Sequence, residues 1–102
     1  MSYLLERLNT AEGILKQAMD AMTNRASERD VQSERSMARA VSAFNSLTDN
    51  RLSERDGWLF MAVLKIARAG TTKDGVPDDY VDGAAYMALA GESVERTRPP
   101  EV

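Results

Sequence analysis

Lys65 and Arg68 stand three residues apart in a stretch, Trp58 to Ala69, that is otherwise apolar. On a helix that spacing separates two side chains by about 60°, so they share a face. The same stripe runs back through Met61, Trp58 and Glu54. Two roles suit a pair of long cations on a greasy helix. They can meet the oxygens of an anionic ligand, or they can reach water or pair with acidic side chains as purely structural groups. Asp79, Asp82 and Tyr86 follow at steps of three and four, again on one helical face. Those carboxylates can pair with Lys65 and Arg68, hold ribose hydroxyls, or ligate magnesium, a hard cation that takes oxygen ligands. Two aspartates do not by themselves define a metal site, and Asp78 and Asp79 equally suit a helix N-terminus through the helix dipole. Trp58 or Tyr86 offers a ring on which a base can stack. A further charged group, Arg29-Asp30 with Glu34-Arg35, lies upstream.

Other chemistries lack their residues. The chain has no cysteine and no histidine, which removes disulfides, thiolate nucleophiles, Cys/His zinc sites and imidazole acid–base catalysis. Glycine-rich phosphate loops and nucleophile elbows are missing, so no catalytic residue is assigned. A net charge of −3 works against binding nucleic acid. A DNA-reading helix needs polar side chains exposed along one side, which the Trp58–Ala69 helix lacks. The start of the chain does not read as a signal peptide, and the Trp58–Ala67 stretch is too short to span a bilayer. A cytoplasmic location is therefore expected.

Four helices are needed to position these residues. The length, 102 residues, suits one domain, expected over 1–97 with a frayed tail at 98–102. Leu4, Leu8, Ala11, Leu15, Ala18 and Met22 recur at steps of three and four and predict a first helix over about 3–22. Thr23 to Gln32 is polar and reads as a loop. Met37, Ala40, Val41, Phe44 and Leu47 give a second helix, about 33–47, closed by a turn at Thr48–Arg51. Ser53 caps a third, about 53–69, which reads as a central helix buried on every side and stopped by a left-handed Gly70. The fourth runs over about 79–95, capped by Asp78, with Val81, Ala84, Ala85, Ala88 and Leu89 as its apolar side. Gly83, inside it, is expected to mark tight packing against the third helix. So short a chain gains from burying its first-helix seam against a second copy, and a homodimer is expected.

Leu64-Lys65-Ile66-Ala67-Arg68, followed by Asp79-Tyr80-Val81-Asp82-Gly83-Ala84-Ala85-Tyr86, resembles a family of small phage and prophage proteins of unassigned function. Arg29-Asp30 and Phe44 match its upstream Arg-Asp element and aromatic-containing helix, and the resemblance covers roughly residues 28–92. More remotely, the arrangement is similar to the all-α nucleoside-triphosphate pyrophosphatases of the MazG type, which hold magnesium between two acidic pairs on facing helices. Asp79-x-x-Asp82 matches the second pair. Where the first would stand this chain has Lys65-x-x-Arg68, so the resemblance implies a pocket for something anionic more than it implies hydrolysis. Taken together these readings give a compact all-α four-helix domain. Its expected ligand-binding residues are Arg29, Asp30, Trp58, Lys65, Arg68, Asp79, Asp82 and Tyr86. The expected ligand is nucleotide-like or phosphorylated, with magnesium left open as a cofactor. The alternative is a non-enzymatic phage factor that binds a host protein or sequesters a host signal.

Overall fold

The computed structural model describes residues 10–29, 32–71 and 77–100, with side chains described over 10–23, 36–71 and 78–100. Four helices occupy them: α1 (Ala11–Arg29), α2 (Gln32–Thr48), α3 (Glu54–Thr71) and α4 (Pro77–Thr97). The described residues contain no strand, as the apolar spacing predicts.

Thr10 starts α1. Its hydroxyl accepts the Gly13 N–H at 3.0 Å, and Glu12 sits in the positive first turn. The stretch before it, including Leu4 and Leu8, lies outside the described residues. The face α1 buries is narrower than the expected seam. Ala18 packs with Val81 and Ala85 of α4, flanked by Ile14 and Met22, while Leu15 is 62% exposed. The helix also runs on through Thr23–Arg29, where a loop was expected. Arginine, alanine and glutamate are good helix formers, and a helix can form without apolar spacing. Thr23 fits because its hydroxyl bonds back to the Met19 carbonyl at 3.0 Å.

α2 and α3 form an antiparallel hairpin whose turn is tied at three points. Asp49 adopts a φ of 57°, and the Asn50 N–H reaches back to the Asn45 carbonyl, a Schellman-type helix end. The Asn45 amide clamps the Leu52 backbone from both sides, donating to its carbonyl and accepting from its N–H, each at 2.9 Å. Ser53 and Asp56 then form a reciprocal cap: the Asp56 N–H donates to the Ser53 hydroxyl and the Ser53 N–H to the Asp56 carboxylate. The bond from the Ser53 backbone, then that from its hydroxyl, then the Arg55 charge hold the Asp56 carboxyl below its ordinary value. This cap contributes stability at neutral pH and loses it as pH falls through that lowered value.

The tight approach between helices is at Gly57, not Gly83. A Cβ at Gly57 would lie 2.5 Å from the Met37 sulfur and 2.8 Å from a Val41 methyl, whereas one at Gly83 would meet Lys65 Cβ at an ordinary 3.7 Å. Glycine costs a helix interior about 1 kcal/mol against alanine, and overpacking costs about 1–3 kcal/mol. Gly83→Ala is therefore expected to raise the unfolding free energy by about 1 kcal/mol. Gly57→Ala is expected to lower it by about 1 kcal/mol, because Val41 is too stiff to move aside. Urea titrations of the two variants check the opposite signs.

Three further expectations are corrected. α3 is not buried all round: Trp58 and Ala62 are buried, but Phe60, Val63, Leu64 and Ile66 are exposed. α3 lies against α4 on one side and α2 on another; α1 makes no contact with α3, nor α2 with α4, among the described residues. Each helix thus touches two others, in the order α1–α4–α3–α2 with α1 and α2 also in contact, and the side of α3 that carries Phe60, Val63 and Ile66 is exposed. Phe44 and Leu47, expected on the covered face of α2, are exposed as well. Gly70 is not a left-handed stop, since α3 continues through it to Thr71, whose hydroxyl takes up the Arg68 carbonyl.

Candidate functional site

α3 and α4 run antiparallel, so residues near the end of one lie beside residues near the start of the other. That register creates the site. Lys65 Nζ lies 3.3 Å from an Asp82 carboxylate oxygen, and Arg68 Nε lies 3.4 Å from Asp79. Basic and acidic stripes three residues apart on facing helices thus pair in sequence, Lys65 with Asp82 and Arg68 with Asp79. Their environments differ. Asp79 is buried at 3% exposure while its partner Arg68 is 58% exposed; Lys65 and Asp82 are both half-buried. Asp79 and Asp78 also occupy the first turn of α4, which begins at Pro77, a residue whose fixed φ suits that position. A buried carboxylate without a counter-charge would be costly. Here Arg68, itself largely exposed, supplies the charge.

The same α3–α4 seam continues toward the other end. Trp58, buried, stacks on Tyr86 with ring centroids 5.9 Å apart and planes at 22°. Its indole N–H donates to Glu54 at 3.0 Å, and Arg96 donates to both Glu54 oxygens, at 3.2 and 3.4 Å, and to Glu92. Trp58 and Tyr86 thus face each other inside the hairpin. Glu54–Arg96 went unread in the sequence, although Glu54 sits on the stripe of Trp58 and Lys65. The pairings 65 with 82 and 68 with 79 fix an antiparallel register that carries Glu54 to the last turns of α4, where Arg96 stands. Arg29 is the last residue of α1, with its side chain outside the described set; Asp30 is outside the described residues altogether. The structure therefore brings together six of the eight expected residues along one seam.

Beside the two ion pairs the surface opens into a groove of about 450 Å³ whose lining includes Lys65, Ile66, Asp79, Tyr80, Gly83 and Met87. Its walls are mostly apolar. Lys65 and Asp79 supply polar groups on its lining, and the Tyr80 ring is half exposed at its edge. Among the described residues no three acidic side chains gather into a metal site. The geometry suits recognition: fixed charges, a ring and an apolar floor on rigid helices.

The match to known families spans residues 13–94, from the first turn of α1 to near the end of α4. The chain belongs to the DUF6378 family, a domain of unknown function. No curated protein and no solved structure matches it. No helix among the described residues is long and apolar enough to cross a membrane.

Proposed function

We propose that this protein binds a small phosphate-bearing, nucleotide-like ligand in the α3–α4 groove, as an accessory protein of phage type that binds and does not hydrolyse. The observation that carries this reading is a charged pair of helix stripes bordering an open groove, with Lys65 in its wall and Arg68 largely exposed beside it. Arg68 meets Asp79 through Nε, and a guanidinium keeps further donors for a second set of oxygens. The Lys65 ammonium likewise has more donors than its contact with Asp82 uses. Tyr80 takes the stacking role that the sequence suggests for Trp58 or Tyr86, because those two rings already cover each other. Asp79 and Asp82 both face cations, which favours binding over metal-assisted hydrolysis as their part.

A thermal-shift series with inorganic phosphate, nucleoside mono- and triphosphates and magnesium tests this. A ligand at 100 times its Kd adds about 2.7 kcal/mol to folding, so a phosphate-bearing compound is expected to raise Tm by several degrees. Lys65→Met is expected to abolish that increment. An unchanged Tm with every compound at millimolar concentration overturns the proposal. A second reading, a factor that binds a host protein, draws on exposed apolar side chains such as Leu15 and Met19 of α1.

A further inference from the structure

The charges around the α3–α4 groove nearly cancel. Residues 64–87, which hold its described lining, carry three basic and four acidic side chains, a net charge of −1. The two cations of the seam are matched one to one, Lys65 by Asp82 and Arg68 by Asp79. Asp78 adds an acidic group in the first turn of α4. The chain as a whole carries −3. An anion on Lys65 therefore meets a strong local donor but no surplus of positive charge behind it. Hydrogen bonds from the ammonium offset the repulsion for one charged group. Each further negative charge, held at about 7 Å from an acidic side chain in water, weakens binding about threefold. Near neutral pH a phosphodiester carries one charge, a phosphomonoester about two and a nucleoside triphosphate about four. The charge balance favours the diester.

The layout of the groove favours it independently. The pairings of Lys65 with Asp82 and Arg68 with Asp79 set the antiparallel register, which brings Met87 level with Phe60 and Tyr80 level with Ala67. The described lining thus runs from the level of Phe60 to Gly70, about 15 Å at about 1.5 Å per residue, with Lys65 at its midpoint. Apolar groups flank the ammonium in both directions. Ala84 and Met87 lie toward one end, and Ile66, Ala69 and the Tyr80 ring toward the other. Met87, Ile66 and Tyr80 are each more than half exposed, so their surfaces are open to a ligand. A ligand with its phosphates at one end would leave half of this groove unfilled. A phosphate that links two ring-bearing groups puts its charge at the middle and one ring on each side.

Taking the groove as the phosphate site proposed above, we infer that its ligand is a singly charged phosphodiester of two nucleosides. The phosphate sits on Lys65, one base lies against Tyr80, and the other lies toward Met87, whose thioether suits contact with an aromatic ring. A nucleoside triphosphate uses the same cation and binds more weakly.

Isothermal titration calorimetry of the full chain in low salt ranks four probes. These are adenylyl-3′,5′-adenosine, the methyl ester of adenosine 5′-monophosphate, adenosine 5′-monophosphate and adenosine triphosphate. Affinity is expected to fall in that order, with the triphosphate about 30-fold weaker than the dinucleotide. Lys65→Met is expected to abolish dinucleotide binding while keeping the helical spectrum. Asp78→Asn, outside the described lining, is expected to narrow the gap between triphosphate and dinucleotide about twofold. Tightest binding of the monophosphate or the triphosphate overturns the inference and leaves the phosphate reading standing. So does equal affinity for the dinucleotide and the methyl ester, because the second side of the groove then contributes nothing. No saturable binding of any of the four overturns both.

Discussion

Trp58→Ala is expected to lower the unfolding free energy by about 3–5 kcal/mol, the range for deleting a large buried aromatic. Trp58 is one of six buried apolar residues among the described set and much the largest, since four of the others are alanines and one is valine. Its loss removes the stack on Tyr86 and leaves Glu54 with Arg96 alone where the indole N–H had also donated. A small domain has about 5–15 kcal/mol to lose, so this variant sits close to unfolding at ambient temperature. Trp58→Phe keeps a ring against Tyr86 but loses part of the indole's packing as well as the bond to Glu54, so it is expected to cost about 2–3 kcal/mol, less than the alanine change. Urea unfolding followed by far-UV circular dichroism measures both. Equal losses in the two variants would contradict the assignment of Trp58 as the packing centre of the hairpin.

Arg68→Ala is expected to cost about 1–3 kcal/mol, mostly through the residue it leaves behind. The Asp79 carboxylate is buried, and Arg68 is the basic partner assigned to it among the described residues. The exposure of Arg68 itself, 58%, places the estimate below that for a fully buried pair, because water screens its side of the interaction. Asp79→Asn added to Arg68→Ala removes the stranded charge while keeping the shape, and the double variant is expected to recover most of the loss. If the double variant is as unstable as the sum of the two single changes, the two residues are energetically independent and the pairing carries no weight. In this respect Arg68 is a positioning residue, holding the start of α4 against the end of α3.

The four helices and the Lys65/Arg68 to Asp79/Asp82 pairing were legible in the sequence for one reason. Both depend on local periodicity plus the antiparallel return that a short connection imposes. Ser53 was legible as a cap because capping is a short-range hydrogen bond between residues three apart. What was not legible depends on which helices become neighbours. Leu15 lies on a regular apolar stripe yet stays exposed, because the buried face of α1 is centred on Ala18 against Val81, Ala84 and Ala85 of α4. Phe60 and Leu64 make α3 read as a central helix, but both are exposed, because α4 and α2 cover only part of its circumference. Gly57 gave no signal of its own; its meaning comes from Met37 and Val41 on a helix twenty and sixteen residues upstream in the chain. The Thr23–Arg29 extension was missed because a polar helix leaves no apolar period to find.

The claim that most needs a direct test is that the α3–α4 seam is a ligand site and more than a clamp between two helices. An amide-resolved NMR titration of the full chain with a nucleoside triphosphate reads it by residue. The account predicts shift changes concentrated at Lys65–Gly70 and Asp79–Met87, saturating with ligand, weakened at high salt and lost in Lys65→Met while that variant keeps its helical spectrum. No saturable change up to millimolar ligand, or changes gathered on α1 or α2 with α3 and α4 silent, would contradict it.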